Sequence, residues 1–398
     1  MSDQINGQKR VAYHFILLMG IVSLFGDVTY EGARSITGPY LSVLGASAGI
    51  VGLITGVGEF IGYALRLVSG RFADRIKAYW TLTFIGYVLI LFIPLLGLAG
   101  YWHLAAFFII MERMGKAIRT PARDAILSHA TKQVGRGWGF ALHEALDQVG
   151  AFIGPLIFYV VFILEGSYHE GFAILWIPAL LTLIFLTMAR IKVPSTEKLE
   201  ISGSMPQHKG KGRLPRIFWF YTLFAFFSVA GFAHFQIISY HFKTRSVFSD
   251  AHIPVLYAIA MGIDAIVALI VGKIYDRIGL KSLITIPLMT LPIPFFAFSL
   301  SHDLAVISIV LWGAVMGIHE TVMRAAIADL TPIEHRGFAY GIFNTVYGAS
   351  WFLGSTVVGF LYDLSFNFLF IFVVIMELVS IPVFFLIRRE SFMPAKKY

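Results

Sequence analysis

Apolar runs and polar interruptions divide the 398-residue chain into twelve apolar stretches. Each is close to the roughly 20 residues a helix needs to cross a bilayer. They cover about 11–40, 47–69, 79–100, 103–122, 138–163, 171–190, 217–241, 253–274, 282–300, 304–328, 338–362 and 367–387. Short turns separate most of them. One polar interval is long: residues 192–216 are rich in Lys, Gly, Ser and Pro and read as a flexible linker. The expected organisation is a tail at 1–10, a six-helix bundle at 11–191, the linker at 192–216, a second six-helix bundle at 217–389 and a tail at 390–398. The expected fold class is an all-α integral membrane protein, with twelve transmembrane helices in two pseudo-symmetric six-helix bundles.

Composition agrees with lipid as the solvent. Hydrophobic residues make up 58% of the chain and charged residues 14%, against about 25% charged in soluble proteins. Lys9-Arg10 followed by the apolar run from Val11 to Phe25 resembles a signal peptide. No small-x-small cleavage site follows, so the run is read as an uncleaved first span. The absence of cysteine removes disulfides, thiol catalysis and thiolate metal sites. The formal charge of +8 is explained by topology. Almost all lysines and arginines fall in one set of loops, the linker and the two tails. Only Lys243 and Arg245 fall in the opposite loops, and Arg34, Arg66, Arg113 and Arg324 lie within or near the ends of spans. By the positive-inside rule both termini and the linker are cytoplasmic, in a multi-pass protein of the cell membrane. No nucleic-acid partner is needed.

Two short stretches repeat about half a chain apart. Gly70-Arg71-Phe72-Ala73-Asp74-Arg75-Ile76-Lys77 and Gly272-Lys273-Ile274-Tyr275-Asp276-Arg277-Ile278-Gly279 each follow the second span of their half. Arg136-Gly137-Trp138-Gly139 and Arg336-Gly337-Phe338-Ala339 open the fifth and eleventh spans, and Asp124 and Asp329 close the spans before them. Such echoes point to two copies of one unit. The first pair resembles the G-x-x-x-D-R-x-G-R/K loop signature of the major facilitator superfamily. The first copy departs from it, with Lys77-Ala78 in place of Gly and a basic residue. The block from Glu112 to Pro155 is similar to a prokaryotic branch described as permeases or efflux proteins. Gly150-x-x-x-Gly154-Pro155 resembles the helix-five motif of drug:proton antiporters, though the downstream Gly-Gly of that motif is missing. The resemblance implies parallel six-helix repeats and alternating access. It also implies a gating role for Gly70, Asp74, Arg75, Gly272, Asp276 and Arg277, and makes Arg113 a cavity residue.

Ionisable residues inside a bilayer cost about 2.5–3.5 kcal/mol each on insertion scales, so they are expected to pair or to line a cavity. Asp27, Glu31 and Arg34 share one face of the first span. They form either a proton or cation site or a self-neutralising cluster. Glu59 lies mid-span in the second stretch, and Arg113 in the fourth. His143, Glu144 and Asp147 enter the fifth, where a carboxylate either faces a cavity or forms a salt bridge across helices to Arg113 or Arg119. Arg119, Arg123 and Asp124, with Arg336, are expected in a cytoplasmic latch. In the second half His234, Asp264, His319 and Glu320 are candidates, and Glu320 and Arg324 form an i,i+4 pair. Tyr30, Tyr40, Phe60, Tyr63, Phe235, Tyr240, Trp312, Tyr347 and Trp351 are candidate cavity aromatics.

These features favour a secondary transporter in which protons exchange for an amphipathic or cationic compound moved outward. Proton symport of a sugar-like or organic-anion solute, and an uncoupled facilitator or channel, are the alternatives. No Gly-rich Gly-Lys-Ser/Thr loop and no His-Glu-x-x-His occurs, which argues against an ATP-driven pump and a metallohydrolase. No enzyme activity and no prosthetic group are expected. The partners are a small-molecule substrate, protons and the bilayer, and nothing in the sequence demands more than a monomer.

Overall fold

The computed structural model describes residues 2–194, 214–331 and 335–391, so the expected linker and C-terminal tail lie largely outside the described residues. The described residues are almost wholly helical. The segments are α1 (Ser2–Val43), α2 (Ala48–Ile76), α3 (Tyr79–Leu98), α4 (Trp102–Val134), α5 (Arg136–Ile163) and α6 (Tyr168–Lys192). They continue as α7 (Arg216–Thr244), α8 (His252–Ile278), α9 (residues 279–297), α10 (His302–Leu330), α11 (Arg336–Leu364) and α12 (Phe366–Ser391). Nine stretches among the described residues are long and apolar enough to cross a membrane, and one of them, His252–Ala297, runs over both α8 and α9. Many large side chains face outward, including Leu269, Leu288, Leu98 and Ile191. Helices close their backbone hydrogen bonds internally, which lipid requires. The protein is an integral, multi-pass membrane protein.

The helices outrun the apolar stretches. Gly70–Ile76 is the end of α2, and Gly272–Ile278 the end of α8, where a loop was expected. The fourth stretch continues to Val134, so Asp124 lies within a helix and does not close one. Hydropathy falls where lipid is expected to end. Arg, Lys and Glu are nonetheless good helix formers, and the hydrogen-bonded ladder continues through them. The chain reverses at residues whose φ is positive: Lys77 after α2 and Gly279 after α8, at 51° and 57°. Arg136 and Arg336 start α5 and α11, at the corresponding points of the two halves.

Two compact units emerge from the packing. One gathers Met1–Thr37 with Ala64–Pro206, the other Gly38–Tyr63 with Gln207–Tyr398. The first is built on Phe15, Met19, Trp80, Tyr87, Leu127 and Leu186. Within it α5 is pressed onto α1. A Cβ on Gly154 would lie 2.5 Å from the Val28 carbonyl oxygen, and one on Gly150 would strike the Leu24 carbonyl. Small residues at this spacing let helix backbones meet. In the second unit Gly49, Gly52 and Gly56 of α2 lie against Phe360, Ser355 and Phe352 of α11. This close fit is the physical reason that the turn between α1 and α2 groups with the second half. Pro39 lies just past the dividing point in α1.

Candidate functional site

In the first unit α1, α4 and α5 bring charged residues together. Asp27 faces Gly150, where a Cβ would be 3.2 Å from the Asp27 Cβ. Asp27 interacts electrostatically with Asp147, Lys116, Glu31 and Arg119. Glu31 and Arg34 form the local ion pair, at 3.4 Å. Beside them the Tyr30 ring carries three cations, with Lys116 at 4.0 Å, Arg113 at 4.8 Å and Arg34 at 5.8 Å from its centroid. Each lies within cation–π range.

A second layer of the same unit holds the remaining charges. Arg119, expected in a cytoplasmic latch, is buried. It donates to Glu112 at 3.1 Å and to the Gly86 carbonyl at 3.2 Å. The reason is steric. Gly86 and Gly115 bring α3 and α4 into backbone contact, and the guanidinium folds into that crossing. Arg123 pairs with Asp124 at 2.9 Å and donates to Ser23 at 3.1 Å, while His143 hydrogen-bonds the same hydroxyl at 2.9 Å. Asp147 acts electrostatically on Arg123 and His143. Glu144 points outward from α5.

In the second unit α7 is interrupted. It is helical to Ala230 and again from Phe235, with His234 at the break. Trp312 Nε1 donates to the Ala233 carbonyl at 3.0 Å and holds the break in place. His234 Nε2 lies 3.5 Å from Glu59 Oε1, and the His234 ring meets Trp351 at 4.8 Å between centroids. Phe232 touches Trp312, Trp351 and His319, and Tyr347 touches Tyr63. Asp264 is buried on α8. Its carboxylate sits against the α10 backbone, where a Cβ on Gly317 would be 3.0 Å from Oδ1. Glu320 is half-buried, and the side chains of Arg324 and Asp74 lie outside the described residues.

The repeated motifs lie at matching crossings. Gly70 lies against Pro121 and Gly272 against Thr321, each 3.5 Å from where a Cβ would be. Tyr275, inside the second motif, donates to Asp329 at 2.7 Å. Arg336 donates to the Ala328 carbonyl at 2.7 Å, satisfying the end of α10. Arg75, Asp276 and Arg277 are exposed.

Sequence reasoning left Glu377 out of the candidate set. It lies in α12, its side chain wholly buried. The signal was there: a lone acid in the middle of the most apolar span, whose mean hydropathy is 2.8. Lys116 also joins the site, over the Tyr30 ring that the sequence offered as a candidate cavity aromatic.

The chain matches the Major Facilitator Superfamily over residues 16–323 and 248–397. It is 41% identical over 390 residues to an uncharacterized protein of Mycobacterium bovis, covering 96% of this chain and 95% of the relative. It is 28% identical over 386 residues to an uncharacterized MFS-type transporter of Methanocaldococcus jannaschii, covering 94% and 95%. A crystal structure of a mutant of the nucleoside transporter NupG superposes with a TM-score of 0.73 at 14% identity, covering 94% of this chain and 99% of that one. At that identity the likeness is one of fold. The match spans both halves and every charged cluster described above, and the chain belongs to the Major Facilitator Superfamily of secondary transporters, which move small molecules across membranes.

Proposed function

We propose that the protein is a proton-coupled antiporter that moves a small amphipathic or cationic compound out of the cell by alternating access. The observation that carries this reading is the close crossing of α1 and α5 at Gly150, which lies against Asp27 of α1 and one turn from Asp147 of α5. Two carboxyl groups on different helices can hold one proton between them. Its loss or gain changes how the two helices attract or repel, and a ligand shifts a conformational equilibrium only through such differential interaction. Arg123 and Lys116, both on α4, are the counter-charges of this cluster. The Gly150-x-x-x-Gly154-Pro155 motif adds support for export. Both glycines sit directly on the backbone of α1, so motion of α5 is transmitted to the helix that carries Asp27.

A second reading rests on Tyr30. Three cations around one ring suit an aromatic or carboxylated anion, which would enter with protons. Proteoliposomes with a trapped pH-sensitive dye separate the two. A cationic compound that drives protons in the opposite direction, with the response lost in Asp27→Asn or Asp147→Asn, supports the antiporter. An anion that carries protons with it supports symport. Transport with no proton movement, unchanged in both variants, overturns coupling and leaves a facilitator.

A further inference from the structure

Glu377 is an ionisable side chain in the second unit that the coupling scheme does not use. It is 0% exposed, and neither carboxyl oxygen has a hydrogen-bond partner among the described residues. It points at the interruption of α7. A Cβ on Gly231 would lie 2.5 Å from Glu377 Oε1 and 3.2 Å from its Cδ. The carboxyl therefore fills the notch where α7 stops being helical.

Two buried hydroxyls lie on the helices packed against α12. Ser228 Oγ, one turn before the break, and Thr290 Oγ1, in α9, are both buried and without a hydrogen-bond partner among the described residues. Helices α7, α9 and α12 pack on one another, and all three groups lie near the middle of their segments. The titratable groups on the elements against α12 are turned elsewhere. His234 faces Glu59, Tyr221 donates to the Met323 carbonyl, His241 bonds Tyr362, and Asp363 bonds the start of α2. Lys281 and Arg336 lie at segment ends, and on α12 itself Arg388 is three turns away. An unpaired carboxylate in such a place is strongly disfavoured, whereas a neutral carboxylic acid is tolerated.

We propose that Glu377 is a proton-binding site of the transport cycle. The carboxyl is protonated while α7 and α12 are closed on each other at Gly231, and it releases its proton when the break in α7 opens and admits water. A core built only for packing would be served by Leu or Met at this position. A carboxyl beside a helix interruption is suited to a proton that leaves and returns. This site is independent of the Asp27–Asp147 pair and stands whether or not that pair couples transport.

The test is infrared difference spectroscopy of the reconstituted protein during a pH titration, with Glu377→Gln and Glu377→Asp as variants. Trp312 and Trp351, which flank the break, serve as fluorescent reporters in parallel. The expected result is a protonated-carboxyl band in wild type that disappears at alkaline pH, together with a change in tryptophan emission. Both should be absent in Glu377→Gln and retained at a shifted midpoint in Glu377→Asp. The titration is repeated in Asp27→Asn, where the band persists even if the coupling scheme above fails. A spectrum of Glu377→Gln identical to wild type at every pH overturns the proposal. So does a wild-type band that never titrates, because Glu377 is then a static core acid.

Discussion

The carboxylate of Asp363, in the last turn of α11, accepts hydrogen bonds from the backbone amides of Gly49 at 2.7 Å and Ala48 at 3.1 Å. These are the first residues of α2. The first amides of a helix have no partner within it, and the end carries partial positive charge. Here the satisfying side chain comes from the opposite half of the sequence, 314 residues away. With Gly49 and Gly52 seated on α11, the bond ties the α1–α2 turn to the second half at the end of the molecule away from the basic loops.

Replacing Asp363 is therefore expected to loosen this end of the transporter. Loss of a helix cap costs about 1 kcal/mol, with extremes near 2, which changes a two-state population by roughly 5–30-fold. The chain has no cysteine, so a single Ser47→Cys gives an unambiguous reporter. Thiol labelling at position 47 should accelerate in Asp363→Ala and change little in Asp363→Asn, which keeps one acceptor. Equal labelling rates in wild type and Asp363→Ala would show that the cap does not hold the end closed.

The Arg119–Glu112 pair calls for a different expectation. Both side chains are almost fully buried, at 5% and 1% exposed. Breaking one partner of such a pair typically costs about 3–5 kcal/mol, because the other charge stays buried, whereas replacing both by apolar groups of similar volume is often neutral. Glu112→Leu alone and Arg119→Met alone should each lower the melting temperature in detergent sharply. The double variant should recover most of that loss, less the bond to the Gly86 carbonyl. If the double variant is no better than the singles, the arginine's bond to α3 matters more than its charge partner.

Much of the fold could be read from residue order, because lipid imposes a length of about 20 residues on an apolar helix and the apolar runs show it. The starts of α5 and α11 were visible in Arg136-Gly137 and Arg336-Gly337 for the same reason. Asp27 and Asp147 were each marked by lying in an apolar run, but their adjacency depends on the α1–α5 crossing at Gly150, which sequence separation conceals. Glu59 and His234 likewise meet only because α2 packs beside the break in α7. The ends of α2 and α4 were misread because hydropathy marks where lipid ends, and helical hydrogen bonding does not stop there. Glu377 was missed because it stands alone, with no neighbouring charge to make a pattern.

The turns after α2 and α8 form a natural pair for comparison. Gly279 has φ 57° and ψ −139°, a region open essentially to glycine alone. Lys77, at the corresponding place, has φ 51°, and left-handed backbone costs a side-chain-bearing residue about 1–2 kcal/mol. Lys77→Gly should raise thermal stability by up to about 1 kcal/mol, part of the gain being offset by the greater freedom of glycine in the unfolded chain. Gly279→Ala should lower it by at least as much. Opposite signs for the two substitutions in one melting assay are the expected outcome, and equal signs would contradict the conformations seen here.

Glu59 and His234 supply the last test, because they join the start of the chain to the interrupted helix. Their 3.5 Å contact lies against Trp351, in a buried setting. A double-mutant cycle with Glu59→Gln and His234→Gln measures the interaction directly. Residues in contact are expected to show a coupling of roughly 0.5–3 kcal/mol, so the double variant should cost little more than the worse single. The assay is cargo affinity in proteoliposomes, read beside thermal stability. Coupling in affinity with unchanged stability makes the pair part of the cargo site. Coupling in stability alone makes it a strut that holds α2 against the break in α7, and strictly additive effects in both assays would mean that the contact carries no energy of its own.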